Sequence, residues 1–205
     1  ERGYGENLNM WAYSRIDTIR KPENLKLVRE AGIKWLALGI ESGDKNIRLQ
    51  VTKGKFEDVD IREVVKMVHD ADIEIVGNYL FGLPGDDLKS MEKTFDLSLE
   101  LCTLAWNAYA TMALPGSLMY KEAVNAGHKM PDDYAGYSFH SYNTQPLPTE
   151  HLSSAEILKF RDEAWLQYHT YEPFLQKVED KHGKLARENI EKMTKVKLKR
   201  RILGD

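Results

Sequence analysis

The sequence predicts an α/β fold of about four parallel strand-and-helix units, followed by an irregular segment and a helical C-terminal extension. Three observations predict it. Short apolar runs alternate with segments of helical period along residues 8–127, and such alternation gives parallel strands joined by right-handed crossovers. The run "IEIVGNYLFGLPG" is almost continuously apolar, as in a strand covered by helices on the outside of its sheet. Each strand also closes on a polar or Gly/Pro turn, "SRID", "GIESGD", "FGLPGDD" and "ALPGS". That gathers the candidate functional groups at one edge of the sheet, where both barrels and open doubly wound sheets place their ligands. The residues alone leave those two architectures open.

Taken in order, "LNMWAYSRID" reads as a first strand and "KPENLKLVREAG" as a helix, with Pro22 near its start, Leu25 and Val28 at helical spacing and Gly32 as its stop. "IKWLALGI" is the second strand, and the stretch after it is a polar turn carrying Glu41, Ser42, Gly43 and Asp44. A helix from Asp60 to Ala71 presents Val64, Val65 and Val68 on one face. The third strand runs into a helix from Asp86 to Leu101, with Met91, Phe95 and Leu99 four apart. "WNAYATMALPGS" supplies the fourth strand and Leu118 to Ala126 the fourth helix. Beyond Gly127, "HKMPDDYAGYSFHSYNTQPLPTEHLSS" has no helical period and reads as a covering loop. Ser153 or Ser154 caps a helix through Tyr171, and "KHGKLARENIEKMTKVKLKRRILGD" reads as a basic amphipathic helix. The expected division is 1–127 for the alternating units and 128–205 for the cover and helices.

The bulk properties narrow the function classes. The 205 residues carry a net charge of −3, which gives no general argument for nucleic acid or membrane partners. No apolar run reaches the roughly 18 residues of a membrane span, so a soluble, cytoplasmic protein is expected. One cysteine, Cys102, excludes an internal disulfide and a thiolate cage for a metal or iron–sulfur cluster. The chain opens at Glu1 in a polar run and reads as a piece of something longer. The glycines of "GNYLFGLPG" and "GLPGDD" fit neither a P-loop nor a dinucleotide fingerprint, and the six histidines show no ligand spacing. The strand tips remain: Arg15, Glu41, Lys53 and Asn78 suit a zwitterionic or hydroxyl-bearing small ligand, because carboxylates accept from ammonium or hydroxyl groups and cations answer a carboxylate.

The motifs "WAYSRID", "LVREAGIKWLALGIESGDKNIRLQVTKG", "VVKMVHDADIEIVGNYLFGLPGDD" and "ALPGSLMYKEAVNAG", in that order, resemble the second half of a radical S-adenosylmethionine (radical SAM) core. They are most similar to the branch whose members often carry a cobalamin-binding domain ahead of that core. The resemblance implies a partial β/α barrel holding the third to sixth units. It also implies an S-adenosylmethionine (SAM) site divided between this chain and an N-terminal part of the same protein, where three cysteines hold a [4Fe–4S] cluster. This chain would bind neither the cluster nor cobalamin. By position, Arg15 is a polar SAM contact, Glu41 and Ser42 stand near the ribose and methionine, and Lys53 answers the SAM carboxylate. Asn78 meets the ribose, and Leu114 and Pro115 border adenine. Tyr137 and His140, in the cover segment, are candidates for contact with an unknown substrate. No catalytic residue and no metal ligand is implied, the chain alone is expected to be inactive, and its exposed strand edges are expected to self-associate.

Two other readings accompany this one. In the first, the chain is a binding module whose C-terminal Lys192, Lys195, Lys197, Lys199, Arg200 and Arg201 contact nucleic acid. In the second, it is a complete α/β enzyme using His140 or His151 with Asp132 or Asp133 as an acid–base pair.

Overall fold

A computed structural model describes residues 3–52 and 59–205. The chain divides into two compact units, Glu1–Tyr79 with Lys93–Asn107, and Leu80–Glu92 with Ala108–Asp205.

The sheet is open and consists of strands β1 (Met10–Arg15), β2 (Ile33–Glu41), β3 (Glu74–Phe81) and β4 (Ala105–Ala110), hydrogen-bonded in the order β1-β2-β3-β4. All four strands are parallel and alternate with helices, as the sequence predicts. Helix α1 (Pro22–Glu30) starts on its proline, which suits a first-turn position because its missing N–H has no partner to lose. It buries Leu25 and leaves Leu27 exposed. Helix α3 (Ile61–Asp70) is capped by Asp60, whose carboxylate accepts from the N–H groups of Arg62 and Glu63. It turns Val64, Val65 and Val68 into the core. Helix α4 (Leu88–Leu101) buries Met91 and Phe95. Helix α2 (Lys45–Thr52), to which the sequence pattern gives no bounds, follows the turn after β2. Asp44 caps it, accepting from the N–H groups of Asn46 and Ile47.

The register fixes which side chains share a face. Arg15, Gly39 and Asn78 are partners across β1, β2 and β3, and side chains alternate along each strand. The same face carries Trp11 and Tyr13 of β1, their rings 5.0 Å apart and tilted by 54°, exposed by 58% and 73%.

In the second unit, α5 (Leu118–Asn125) is capped by Ser117, and α6 (Ser154–His169) opens on a capping box of Ser153 and Glu156. Two further helices follow, α7 (Glu172–His182) and α8 (Lys184–Met193). The expected basic helix to Asp205 therefore ends at Met193, and the chain runs on without regular structure to Arg200. Arg200 has no exposed surface. Its guanidinium donates to both carboxylate oxygens of Asp162 at 2.8 and 3.0 Å, to the Ser141 carbonyl and to the Thr144 hydroxyl. A cation committed in this way cannot meet a phosphate, and of the six basic residues of the nucleic-acid reading Lys192 alone lies on an α-helix. Among the described residues no helix is long and apolar enough to cross a membrane.

His169 packs near the end of α6 with its ring stacked on Trp165 at 4.4 Å and edge-on to Phe174, and it bonds the Trp165 carbonyl through Nδ1. Burial pulls its pKa below the ordinary histidine value, against the Trp165 carbonyl, which raises it, and with Arg161, which lowers it. The unfolded chain therefore binds this proton more readily than the folded one. Stability from this source is whole at neutral pH and falls as the pH drops through about 6.5, the unfolded value. Denaturant titrations between pH 7.5 and 5.5 are expected to show that fall, and His169→Phe is expected to remove it. For Arg200→Met, chemical denaturation is expected to show a loss of about 2–3 kcal/mol, the scale of a charged hydrogen-bond set.

Candidate functional site

At the end of β2 the register slips by one residue between Gly39 and Glu41, so that Glu41 pairs with Tyr79. Glu41 adopts φ 67°, a left-handed backbone that costs a non-glycine residue about 1–3 kcal/mol. Its side chain folds back along the strand. A Cβ placed on Gly39 would lie 2.5 Å from Glu41 Oε1, so the carboxylate occupies the space above that glycine. It thus lies on the face shared by Arg15, Gly39 and Asn78. Burial raises the Glu41 pKa, and no other cause contributes to the shift. Among the described residues it has neither a hydrogen-bond nor an ion-pair partner. A half-buried carboxylate held in a strained backbone without a partner is costly unless a ligand answers it.

The turn beyond it is rigid. Ser42 is fully buried, its hydroxyl bonded to Thr94 Oγ1 at 3.2 Å and accepting from the Asp44 N–H at 3.1 Å. Thr94 Oγ1 also accepts from the Gly43 N–H, and the Ser42 carbonyl accepts from Arg48 at 2.7 Å. Gly43 is required here, since a Cβ would strike the Lys93 backbone of α4. Lys93 in turn pairs with Asp44 at 2.6 Å. The Ser42 hydroxyl thus ties the turn to α4 beside Glu41.

Two neighbours complete the face. Arg15 is half-exposed and forms a two-pronged pair with Asp17, at 3.0 and 2.7 Å. Asn78 donates to the carbonyls of Leu38 at 3.3 Å and Val76 at 3.1 Å, and accepts from Asn107 Nδ2 at 3.2 Å. Asn107, which the sequence reading passed over inside an apolar strand, is half-buried on β4. The structure thus brings Arg15, Glu41 and Asn78 onto one face. Lys53 lies outside the described residues.

The remaining candidates belong to the second unit. Leu114 and Pro115 are exposed, and the Leu114 carbonyl is already taken by the Ser117 N–H and hydroxyl. The Tyr137 phenol is raised by burial and by its neighbours Tyr120 and Tyr134. His140 lies on a cavity of about 640 Å³ with Trp165, Leu166, Met193 and Val196. Asp133 caps a turn by accepting from the Gly136 N–H. The described residues hold no group of three or more His, Cys, Asp or Glu able to bind a metal ion.

The fold is an open parallel α/β sheet with an unanswered carboxylate at a strand tip, the edge at which such sheets place their ligands. Residues 11–98 match the model of the Radical SAM superfamily. Over 85 residues it is 29% identical to bacteriochlorophyllide d C-12(1)-methyltransferase of Chlorobaculum tepidum, covering 42% of this chain and 19% of that protein. The structure of the radical SAM methyltransferase TsrM from Kitasatospora setae, with cobalamin and a [4Fe-4S] cluster bound, aligns with a TM-score of 0.52 at 19% identity. That alignment covers 76% of this chain and 29% of that one. Coproporphyrinogen III oxidase (HemN) of Escherichia coli, a radical SAM enzyme, aligns at 0.46 and 14% identity over 64% of this chain and 37% of that one. The chain thus spans about a fifth of the curated relative it matches.

The strain at Glu41 makes a test of its own. Glu41→Gly relieves both the left-handed backbone and the desolvated carboxylate. It is expected to raise stability by about 1 kcal/mol in urea titrations. A loss of stability would mean that the carboxylate has a structural partner.

Proposed function

We propose that this chain is the distal part of a radical SAM enzyme and supplies the ribose and carboxylate side of the SAM site. Glu41 carries the reading: it is the one group on this face whose strain and burial a hydroxyl-bearing ligand would offset. Its carboxylate accepts from ribose hydroxyls, while Arg15, and Lys53 from the adjoining stretch, answer the methionine carboxylate. SAM, when bound, supplies a methyl group or hydrogen-abstracting radical chemistry, and the residues here bind and orient it.

A [4Fe–4S] cluster does not fit these residues. The only thiol is Cys102, and it sits on the loop between α4 and β4, away from the β2 tip. The cluster, with any cobalamin, would belong to the remainder of a longer protein, and this chain alone would not turn over. The partial likeness to a methyltransferase supports methyl transfer as the reaction of that whole protein, in the cytoplasm. In the second unit, His140 is the substrate candidate on its cavity.

Equilibrium dialysis of the complete protein with SAM tests the reading. Glu41→Gln is expected to weaken binding about tenfold or more, the scale of a charge-assisted hydrogen bond. Because burial raises the Glu41 pKa, affinity is expected to fall on acidification at a pH above the ordinary glutamate range. The Gln variant is expected to lose that pH dependence. Unchanged affinity in Glu41→Gln would refute the assignment.

A further inference from the structure

The amide of Asn78 is nearly saturated. Its partners on one side are two backbone carbonyls, of Leu38 and Val76, which can only accept. Its nitrogen must therefore face them, and both of its N–H groups are used. Its oxygen is left to face Asn107, which must present its own nitrogen in return. This chain of necessity fixes the orientation of Asn107. Among the described residues, the Asn107 oxygen and its second N–H have no partner. The side chain is half-buried rather than solvated. It lies one strand beyond Asn78, to which it is bonded, and Asn78 in turn pairs with Gly39, above which the Glu41 carboxylate lies. Neighbouring strands are about 4.8 Å apart, so Asn107, two strands from Gly39, stands about 10 Å from it across the sheet.

We infer that Asn107 is the amide that meets the nucleoside ribose, and that Asn78 is its positioning residue. The inference rests on the SAM reading above and moves the ribose amide contact from the third strand to the fourth. One acceptor and one donor suit sugar hydroxyls, which donate and accept at the same oxygen. Asn78 acts through Asn107: it anchors to β2, and its own remaining capacity is a single acceptor lone pair.

The experiment measures SAM binding by the complete protein, with adenosine and its 2′- and 3′-deoxy analogues as competitors. Asn107→Leu, of nearly equal volume, is expected to weaken SAM about tenfold and to abolish the preference for adenosine over at least one deoxy analogue. Asn107→Ser, which retains a hydroxyl, is expected to recover part of both. Asn78→Ala is expected to weaken SAM less than Asn107→Leu, and the double variant to bind no worse than Asn107→Leu alone. Additive losses, or a loss in Asn78→Ala with Asn107→Leu and Asn107→Ser unchanged, would overturn the inference. Glu41→Gln in the same assay separates the two claims. If it loses binding while the Asn107 variants keep wild-type affinity and preference, only the inference falls; if none of the variants changes binding, both fall.

Discussion

Everything at this site follows from the backbone at Glu41. A left-handed residue at the end of a central parallel strand is an expensive way to end it, and glycine would serve at lower cost. The chain keeps a glutamate and surrounds it with a turn that permits little relaxation. Ser42, Gly43 and Thr94 form one hydrogen-bonded joint between the β2 tip and α4, and Asp44 continues it into the cap of α2 and the pair with Lys93. The polar groups of that joint are occupied with one another. The carboxylate they support is left facing the open face of the sheet.

This division of labour separates holding groups from meeting groups. Ser42 and Asn78 looked from sequence like ligand contacts, and both are largely consumed by the protein. Ser42 is bonded through hydroxyl and carbonyl, and Asn78 uses both amide protons on backbone. Glu41 and Asn107 retain capacity. Gly39 matters through its missing side chain, since any Cβ would displace the carboxylate above it. Across β2, β3 and β4, Asn78 is therefore bonded to backbone and to Asn107, while the Glu41 carboxylate and the Asn107 oxygen keep their capacity among the described residues.

Much of the fold was legible in the sequence because the period of its apolar residues is strong. Val64, Val65 and Val68 announced α3, and the apolar run of β3 announced a covered parallel strand. Helix α2, Lys45 to Thr52, has no clear signature in the sequence, because a polar helix with few apolar anchors looks like a loop until its cap by Asp44 is seen. The tail after Met193 was read as helix because its lysines suit one, yet Arg200 is drawn into a buried pair with Asp162, a tertiary contact that local pattern cannot announce. At the site, Glu41 was legible as a carboxylate at a strand tip. Its strained backbone, and the role of Asn107, depend on a register slip and a cross-strand bond that have no signature in the order of residues.

The most direct measurement of the central claim is isotope-edited NMR of the complete protein during a SAM titration, following the Glu41 carboxyl carbon and the side-chain amides of Asn78 and Asn107. The account predicts that the Glu41 carboxyl and the Asn107 amide shift together and saturate at one SAM concentration, with a smaller response at Asn78. A saturating titration that leaves the Glu41 carboxyl unmoved would contradict it.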